Sequence, residues 1–225
     1  MDMPKILECN ASPCAYNSDN KCHAFAITVG GGSKCPMCDT GIIQTEKRGI
    51  ALTKAIFAGG CFWCMEPPFE KLKGVTNVVA GYAAGSGKNP TYEDYAQKGY
   101  IEAVEVSYDP SQITYKDLLD TFWRQINPTD NNGQFCDRGP QYKPAIFYYD
   151  ENQKRLAEES KKMLDESKKF DAPVNTEIFP ASTFYPAEGY HQGYYKTHPI
   201  QYKFYRFNCG RDRFLKKIWS KTIIK

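Results

Sequence analysis

The cysteines of this chain are distributed unevenly, and their distribution divides the sequence before any other pattern does. Five of the nine cysteines lie within the first forty residues, at positions 9, 14, 22, 35 and 38. A segment this short buries too little apolar surface to fold unaided, so a metal bound by thiolates is its natural stabiliser. The sequence therefore predicts a cysteine-rich module over residues 1–48 and a larger domain over residues 49–225.

Zinc is the metal that such a module would bind by default. Cys35 and Cys38 have the two-residue spacing of zinc-binding pairs, whereas the spacing of Cys9 and Cys14 is looser. His23 is a sixth candidate ligand. The alternative is a flexible tail with redox-labile thiols and no metal.

The module also resembles a small cysteine-rich bacterial domain of unknown function. The matching positions are Cys9, Cys14, Tyr16-Asn17, Cys22, Ala24, the Ile-Thr-Val run at 27–29 and the Cys-Asp-Thr run at 38–40. On this match Cys35 is supernumerary. With Cys35 set aside, the predicted metal ligands are Cys9, Cys14, Cys22 and Cys38. The resemblance supplies no activity.

Composition and charge limit the classes of protein that are possible. Hydrophobic residues make up 41% of the 225 positions and charged residues 24%, which is typical of a globular protein. A net charge of +3 without a dense basic stripe argues against a nucleic-acid partner. The sequence has no apolar run of signal-peptide or bilayer length, which predicts a cytoplasmic protein without a membrane partner.

The segment Gly-Gly-Cys-Phe-Trp-Cys-Met-Glu at 59–66 predicts a reactive cysteine. It follows the apolar run 55–58, which is typical of a buried strand, and two glycines allow a sharp turn that leaves Cys61 at the exposed end of that strand. Amide groups that are free at such a turn favour thiolate over thiol. Pro67 and Pro68 predict that a following helix is irregular or begins near Pro67.

Further elements indicate an α+β fold. Val104, Val106 and Tyr108 alternate with polar residues and predict a strand, and Thr114 with Asp117 predicts the capped start of a helix. The other predicted elements are a strand at 145–149, a helix at 152–169 with Leu156, Met163 and Leu164 turned inward, and a strand at 174–178. We expect a sandwich of helices on an antiparallel or mixed sheet.

Several separated motifs make residues 54–219 similar to A-type peptide methionine sulfoxide reductases. They are Gly-Cys-Phe-Trp at 60–63, Ala-Gly-Tyr at 80–82, Asn-Pro-Thr-Tyr at 89–92, Glu-Ala-Val at 102–104, Asp-Arg-Gly-Pro-Gln-Tyr at 137–142, and Tyr-Pro-Ala-Glu followed by Tyr-His-Gln within 185–192. The resemblance implies a ferredoxin-like two-layer α/β sandwich. It also implies reduction of the S epimer of methionine sulfoxide, free or in proteins, with an external thiol reductant and no cofactor for catalysis.

The resemblance assigns roles to particular residues. Cys61 would attack the sulfoxide sulfur and become a sulfenic acid, and Glu102 would donate the proton from a desolvated site that raises its pKa. Tyr92 and Tyr142 would hydrogen-bond the sulfoxide oxygen, Asp137 would hold the site, and Phe62 and Trp63 would accept the methyl group. Without the resemblance, Glu102 reads as a solvated strand residue and Phe62 and Trp63 as ordinary core.

Two positions depart from the family pattern. The family commonly has Gly-His-X-Glu where this chain has Gly-Tyr-Ile-Glu at 99–102, so no histidine precedes Glu102. The glycine-rich tail with recycling cysteines is also absent, and only Cys209 lies near the carboxy terminus.

Cys64 is the favoured recycling cysteine, because its spacing from Cys61 brings two sulfurs within bonding reach in a turn or helix. A thioredoxin-like partner would then reduce the Cys61–Cys64 disulfide. The alternatives are Cys209, Cys136, a cysteine of the module, or direct recycling. Cys136 is equally interpretable as a packed small hydrophobic residue.

Two other classes of protein are compatible with parts of the sequence. The Cys-Phe-Trp-Cys segment alone suggests a thioredoxin-like dithiol oxidoreductase. The module alone suggests a metal-binding or metal-sensing protein in which the larger domain is only a scaffold.

Overall fold

The structure is a computed structural model that describes residues 52–219 and the backbone of residues 17–18 and 21–22. The chain divides into two compact units, Met1–Ala51 and Leu52–Lys225. In the first unit, Asn17–Ser18 pairs in antiparallel fashion with Lys21–Cys22. The predicted metal ligands lie outside the residues whose side chains are described, and so does the predicted boundary between residues 48 and 49.

A six-stranded mixed sheet forms the centre of the second unit. Its strands are β1 (Thr53–Gly59), β2 (Val75–Ala83), β3 (Ile101–Tyr108), β6 (Pro144–Tyr148), β7 (Glu177–Pro180) and β8 (Tyr185–Pro186), and a separate hairpin joins β4 (Gly133–Gln134) to β5 (Asp137–Arg138). The order in the sheet is β8-β2-β3-β1-β6-β7, and only the β6–β7 pair is parallel.

Within residues 52–219, six α-helices accompany the strands. They are α1 (Phe62–Glu70), α2 (Tyr115–Trp123), α3 (Glu151–Glu166), α4 (Tyr194–Thr197), α5 (Pro199–Asn208) and α6 (Arg211–Trp219). Helix α1 lies between β1 and β2 along the chain, and α2 lies between β3 and β6. These four strands have the order β2-β3-β1-β6 in the sheet, which is the order of a ferredoxin-like fold. The predicted α+β fold class is confirmed. No helix of the described residues is both long and apolar enough to span a bilayer.

The alternation along β1 explains why residues 55–58 form an uninterrupted apolar run. Ala55 and Phe57 belong to the large core beneath α1 and α2, whereas Ile56 and Ala58 belong to a smaller cluster on the opposite face of the sheet. Successive side chains of a strand point to opposite faces, so a strand that is covered on both sides is apolar throughout. The ring of Phe57 stacks on Phe69 of α1 with centroids 5.0 Å apart.

The local predictions had mixed outcomes. Thr114 caps α2 and forms the predicted capping box with Asp117. The predicted inward orientation of Met163 is wrong, since this side chain is 67% exposed on the solvent face of α3. The helix ends at Glu166 rather than residue 169, and the strand predicted at 174–178 begins only at Glu177, where pairing with β6 begins.

Helix α1 begins at Phe62 despite its two prolines. Pro67 and Pro68 lack the amide hydrogens that would bond the carbonyls of Trp63 and Cys64 in a regular helix. The carbonyl of Cys64 instead accepts a hydrogen bond from Nη1 of Arg206 at 3.3 Å. A side chain of α5 thus replaces a bond that α1 cannot make for itself.

Candidate active site

The turn between β1 and α1 places Cys61 at the start of the helix. Gly60 has a φ of 79°, and a Cβ at this position would lie 2.6 Å from Cβ of Gln134. Both the positive φ and the close approach require glycine. Cys61 follows as the N-cap residue and is only 6% exposed, so the predicted exposed strand end is in fact a buried one.

Glu102 projects from β3 towards this turn and is 2% exposed. Its Oε2 accepts a hydrogen bond from the amide of Phe62 at 3.0 Å, and its Oε1 accepts one from the hydroxyl of Tyr95 at 2.8 Å. Burial raises the pKa of Glu102 to about 8, although both hydrogen bonds act in the opposite direction. The carboxyl group is therefore largely protonated at neutral pH.

Tyr95, rather than Tyr100, is the tyrosine that contacts Glu102. Tyr100, which stands at the sequence position of the family's histidine, is buried elsewhere and donates its hydroxyl hydrogen to the carbonyl of Gly87 at 2.9 Å. The sequence analysis did not single out Tyr95. The only signal is its position three residues after Tyr92, and the chain has 16 tyrosines.

Tyr92 and Tyr142 approach Glu102 from two loops. Tyr142 ends a short 3-10 helix, Pro140–Tyr142. Tyr92 is 41% exposed, and its amide donates to Oε1 of Glu188 at 2.8 Å. Burial raises the pKa of both phenols, so each remains a neutral hydrogen-bond donor.

Aromatic rings surround the first turn of α1. His191 lies 5.0 Å from the ring of Phe62 and 4.5 Å from that of Tyr92, measured between centroids. The indole nitrogen of Trp63 donates to Nδ1 of His191 at 3.2 Å, and Tyr194 stacks on Trp63 at 3.9 Å. Burial lowers the pKa of His191, which keeps the imidazole neutral and able to accept this bond. The result is an apolar wall with fixed ring positions.

Cys61 and Cys64 are both reduced and buried. Burial raises the pKa of Cys61, so the turn does not favour thiolate there as the sequence suggested. The hydrogen bond from Cys61 lowers the pKa of Cys64 to about 6, and the charges of Arg211 and Arg206 contribute in the same direction.

Asp137 lies in β5. Its Oδ2 accepts a hydrogen bond from the hydroxyl of Tyr205 at 2.5 Å. Burial raises the pKa of Asp137. No motif of the sequence analysis included Tyr205.

A disulfide joins Cys136 to Cys209 next to Asp137. Cys136 is exposed and Cys209 is buried at the end of α5. The interpretation of Cys136 as a packed small hydrophobic residue is therefore wrong. The disulfide fixes the chain next to Asp137 to the helix that carries Tyr205.

Arg211 contacts the end of β1, next to the turn that carries Cys61. It is fully buried and donates from Nη2 to the carbonyl of Gly59 at 2.9 Å and from Nη1 to that of Gln125 at 3.0 Å. The sequence analysis did not single out Arg211, because nothing in the spacing of the carboxy-terminal basic residues distinguishes a buried arginine from its exposed neighbours.

A buried cysteine pair beside a carboxylic acid that stays protonated defines a thiol-dependent oxidoreductase site. The model of the family described as peptide methionine sulfoxide reductase matches residues 53–223. This chain belongs to the peptide methionine sulfoxide reductase family. The membership assigns the Cys-Phe-Trp-Cys segment to this family rather than to a thioredoxin-like oxidoreductase, and makes the larger unit an enzyme rather than a scaffold.

Individual relatives agree with the family model. Peptide methionine sulfoxide reductase MsrA of Bacillus licheniformis is 49% identical over 180 residues, covering 79% of this chain and 97% of that protein. MsrA of Halalkalibacterium halodurans is 51% identical over 178 residues, covering 78% and 99%. Separately, residues 7–47 match the model of a Domain of Unknown Function (DUF1540), as the module's cysteine pattern predicted.

Solved structures share the fold. Reduced Mxr1 from Saccharomyces cerevisiae superimposes with a TM-score of 0.62 and 29% identity, over 66% of this chain and 87% of that chain. Methionine sulfoxide reductase A of Corynebacterium diphtheriae gives a TM-score of 0.59 and 29% identity, over 66% and 76%.

Proposed function

We propose that this chain reduces the S epimer of methionine sulfoxide, in proteins or free, by attack of Cys61 on sulfur. The observation that carries the proposal is the hydrogen bond of 3.0 Å between the amide of Phe62 and Glu102, which joins the backbone next to the nucleophile to a carboxyl group with a pKa of about 8. Sulfoxide reduction needs a nucleophile for the sulfur and a proton for the oxygen. Cys61 and the protonated Glu102, which contact the same turn, would supply them.

The reaction balances with these groups. The Cys61 thiolate bonds to the sulfoxide sulfur while Glu102 gives its proton to the oxygen, assisted by the hydroxyls of Tyr92 and Tyr142. Transfer of the protonated oxygen to Cys61 then releases methionine. The substrate sulfur gains two electrons and the Cys61 sulfur loses two, which leaves a sulfenic acid on Cys61 and an anionic Glu102.

Phe62 and Trp63 would receive the methyl group of the substrate. Phe62 is buried against His191, and the stacked Tyr194 fixes the plane of Trp63. Rigid rings hold a small apolar group in one orientation, and orientation at the sulfur is what separates the S epimer from the R epimer. Asp137 would fix the opposite wall of the substrate site through its hydrogen bond with Tyr205.

Cys64 would then displace the oxygen from Cys61. A thiolate next to the sulfenic acid attacks its sulfur, the Cys61–Cys64 disulfide forms, and the departing oxygen leaves as water after taking up a proton. The Cys61 thiol and the positive charges of Arg211 and Arg206 lower the pKa of Cys64. The two arginines remain in place when Cys61 is oxidised, and they support this role because they favour the attacking thiolate. A thioredoxin-like reductant would reduce the disulfide.

The test of the activity is turnover of the separated S and R epimers of a blocked methionine sulfoxide by the intact chain. We expect reduction of S alone. Turnover of R, or of neither epimer by a folded chain, would contradict the proposal.

A second comparison tests the recycling route. Cys64→Ser should form one equivalent of methionine and stop with Cys61 as a sulfenic acid, whereas the double variant Cys136→Ser/Cys209→Ser should keep its thioredoxin-supported turnover. The reverse pattern would assign recycling to the Cys136–Cys209 pair instead.

For the module we propose a zinc site formed by Cys9, Cys14, Cys22 and Cys38, in an enzyme that repairs oxidised proteins in the cytoplasm. The match of residues 7–47 to a cysteine-rich domain supports a separate unit, and thiolates are preferred ligands of zinc. Native mass spectrometry should find one metal ion in the unmodified chain and in Cys35→Ser, but none in Cys9→Ser. Equal metal content in all three chains, including none, would contradict this ligand set.

A further inference from the structure

Three tyrosine rings stack beside Glu102, and the ring that the other two share is the one that contacts the acid. Tyr95 stacks on Tyr82 and on Tyr92, with centroids 4.7 Å and 5.7 Å apart and interplanar angles of 21° and 26°. Tyr95 is buried, and its hydroxyl donates to Oε1 of Glu102 at 2.8 Å. The position of this hydroxyl therefore depends on the other two rings of the tyrosine stack.

A single carboxylate holds both of the tyrosines that stack on Tyr95. The hydroxyl of Tyr82 donates to Oε2 of Glu188 at 2.8 Å, and the backbone amide of Tyr92 donates to Oε1 at 2.8 Å. Hydrogen bonds to an ionised acceptor are stronger than those between neutral groups. The two oxygens of Glu188 thus fix both partners of Tyr95 from one point.

We propose that Glu188 is a positioning residue, which holds the tyrosine stack so that Tyr95 keeps its hydrogen bond to Glu102. The inference rests on the function proposed above for the role of Glu102 as proton donor. The contacts themselves can be tested on the resting chain, without a sulfoxide.

The backbone that carries Glu188 is itself fixed to the sheet. On one side of Glu188, Pro186 of β8 pairs with Gly81 of β2. On the other side, the side-chain amide of Gln192 bonds the backbone nitrogen and the backbone oxygen of Ala80, each at 2.9 Å. The carboxylate therefore has a fixed place from which to hold the stack, which is the preorganisation that a positioning group needs.

The place of Tyr95 in the fold explains why such support matters. Tyr95 belongs to the loop between β2 and β3, whereas Glu102 lies on β3 itself. Loops are more mobile than strands, so a donor held only by its own loop would not keep a constant distance to the acid. Stacking on two rings that Glu188 holds supplies the missing constraint.

Two effects of Glu188 on the acid have opposite signs. The hydrogen bond from Tyr95 favours ionised Glu102 and lowers its pKa, whereas burial and the negative charges of Asp137 and Cys64 raise it. Loss of the Tyr95 bond would therefore raise the pKa of Glu102. Loss of the negative charge of Glu188 by itself would lower it. The sign of the shift separates a positioning role from a purely electrostatic one.

The test follows the carboxyl carbon of Glu102 by NMR against pH in chains with labelled glutamate, with its signal assigned by its absence in Glu102→Gln. Glu188→Gln keeps the side-chain shape but leaves one acceptor oxygen for two donors. We expect the midpoint of Glu102 to rise by about half a pH unit from about 8. In a Tyr95→Phe background, Glu188→Gln should produce no rise, because the bond through which it acts is absent.

An unchanged or lowered midpoint in Glu188→Gln, or a rise in the Tyr95→Phe background as well, would overturn the proposal. Tyr82→Phe is the second variant, since it keeps the ring and the charge of Glu188 and removes one of the two bonds. Its midpoint should also rise, and an unchanged midpoint would count against the proposal. Glu93→Gln is the matched control, because it removes the same charge from an exposed position next to Tyr92, and it should leave the midpoint in place.

Single-turnover methionine formation completes the test. In Glu188→Gln the alkaline limb of the rate should move to higher pH together with the NMR midpoint of Glu102. A shifted midpoint with an unmoved limb would show that Glu188 positions a group that is not the proton donor, and would overturn the proposal. If the parent chain reduced no sulfoxide, the NMR result would still stand, and only the function proposed above would fail.

Discussion

The two sides of the Cys61 sulfur are built from different kinds of sequence. On one side, Glu102, Tyr92 and Tyr142 come from strands and loops with recognisable motifs. On the other side, Tyr205 and Arg206 come from α5, where aromatic and basic residues follow one another without a motif. The comparison teaches that the part of the site built from family motifs can be predicted from the sequence. The part brought by a distant helix depends on packing.

Glu102→Gln tests the side of the site that is built from motifs, and it is expected to have the largest effect. An amide of the same shape cannot donate a proton to the oxygen, so the sulfenic-acid-forming step should slow by about 10²–10⁴-fold. In the parent chain that step should decrease as pH rises through about 8, because Glu102 must be protonated, and the variant should lose this limb. Single-turnover rates against pH measure both effects.

Glu105→Gln is the matched control, since Glu105 lies on the same strand and bonds Lys54 and Tyr149 away from the site. A Glu102→Gln chain that kept its alkaline limb would show that another group supplies the proton.

Arg211→Met tests the side of the site that the carboxy-terminal helices form. The carbonyls of Gly59 and Gln125 would lose their donors in a buried place, so the free energy of unfolding should decrease by about 2–4 kcal/mol. The pKa of Cys64 should rise from about 6, because a nearby positive charge is lost. Denaturant unfolding and ultraviolet absorbance of the thiolate measure these changes.

Arg213→Met, at an exposed position of the same helix, should change stability by less than about 0.5 kcal/mol. If the two variants behaved alike, the buried arginine would have no special role, and the C-terminal side would not differ from ordinary surface.

Glu66→Gln tests a residue of α1 that belongs to neither side of the Cys61 site. Glu66 is buried, accepts a hydrogen bond from the amide of Gly193 at 2.9 Å, and has its pKa raised by burial to about 7. The folded chain binds this proton more tightly than the unfolded chain, so stability should decrease as pH rises from about 4.5 to about 7.

The Glu66→Gln chain should lack that decrease and be more stable than the parent by about 1–3 kcal/mol at pH 8. Thermal unfolding across this pH range measures the difference, with the exposed Glu158→Gln as control. Parallel curves for parent and Glu66→Gln would contradict the assignment.

The smallest effect is expected from Tyr92→Phe. Tyr92 is 41% exposed and would supply one neutral hydrogen bond to the sulfoxide oxygen, so its loss should slow the chemical step by about 3–10-fold without changing stability. A loss as large as that of Glu102→Gln would mean that the tyrosine, and not the carboxyl group, is the main proton source.

The fold was largely predictable because its signals are local. Thr114 and Asp117 define the start of α2, and the alternation from Val104 to Tyr108 defines β3. The wrong orientation of Met163 has a physical reason. On a helix as charged as α3, the contacts of Leu156 and Leu164 with the core suffice, and Met163 remains on the solvent side.

The site was predictable only where a motif carried it. Glu102 could be placed by the family pattern, and its burial explains the raised pKa that the role needs. Tyr95 and Tyr205 could not be selected among 16 tyrosines, since the contact of Tyr95 with Glu102 and that of Tyr205 with Asp137 depend on which loop and which helix pack against the site. Likewise, the partnership of Cys136 with Cys209 spans 73 residues and has no local signature.

The two prolines of α1 affect how Cys61 becomes exposed to solvent. A helix that lacks two of its own hydrogen bonds and borrows one from Arg206 has little independent stability, so it cannot remain folded when α5 detaches. Fraying of the carboxy-terminal helices would therefore expose Cys61 as well. Native-state hydrogen exchange should find the amides of α1 and α5 opening as one cooperative unit, although more than a hundred residues separate them along the chain.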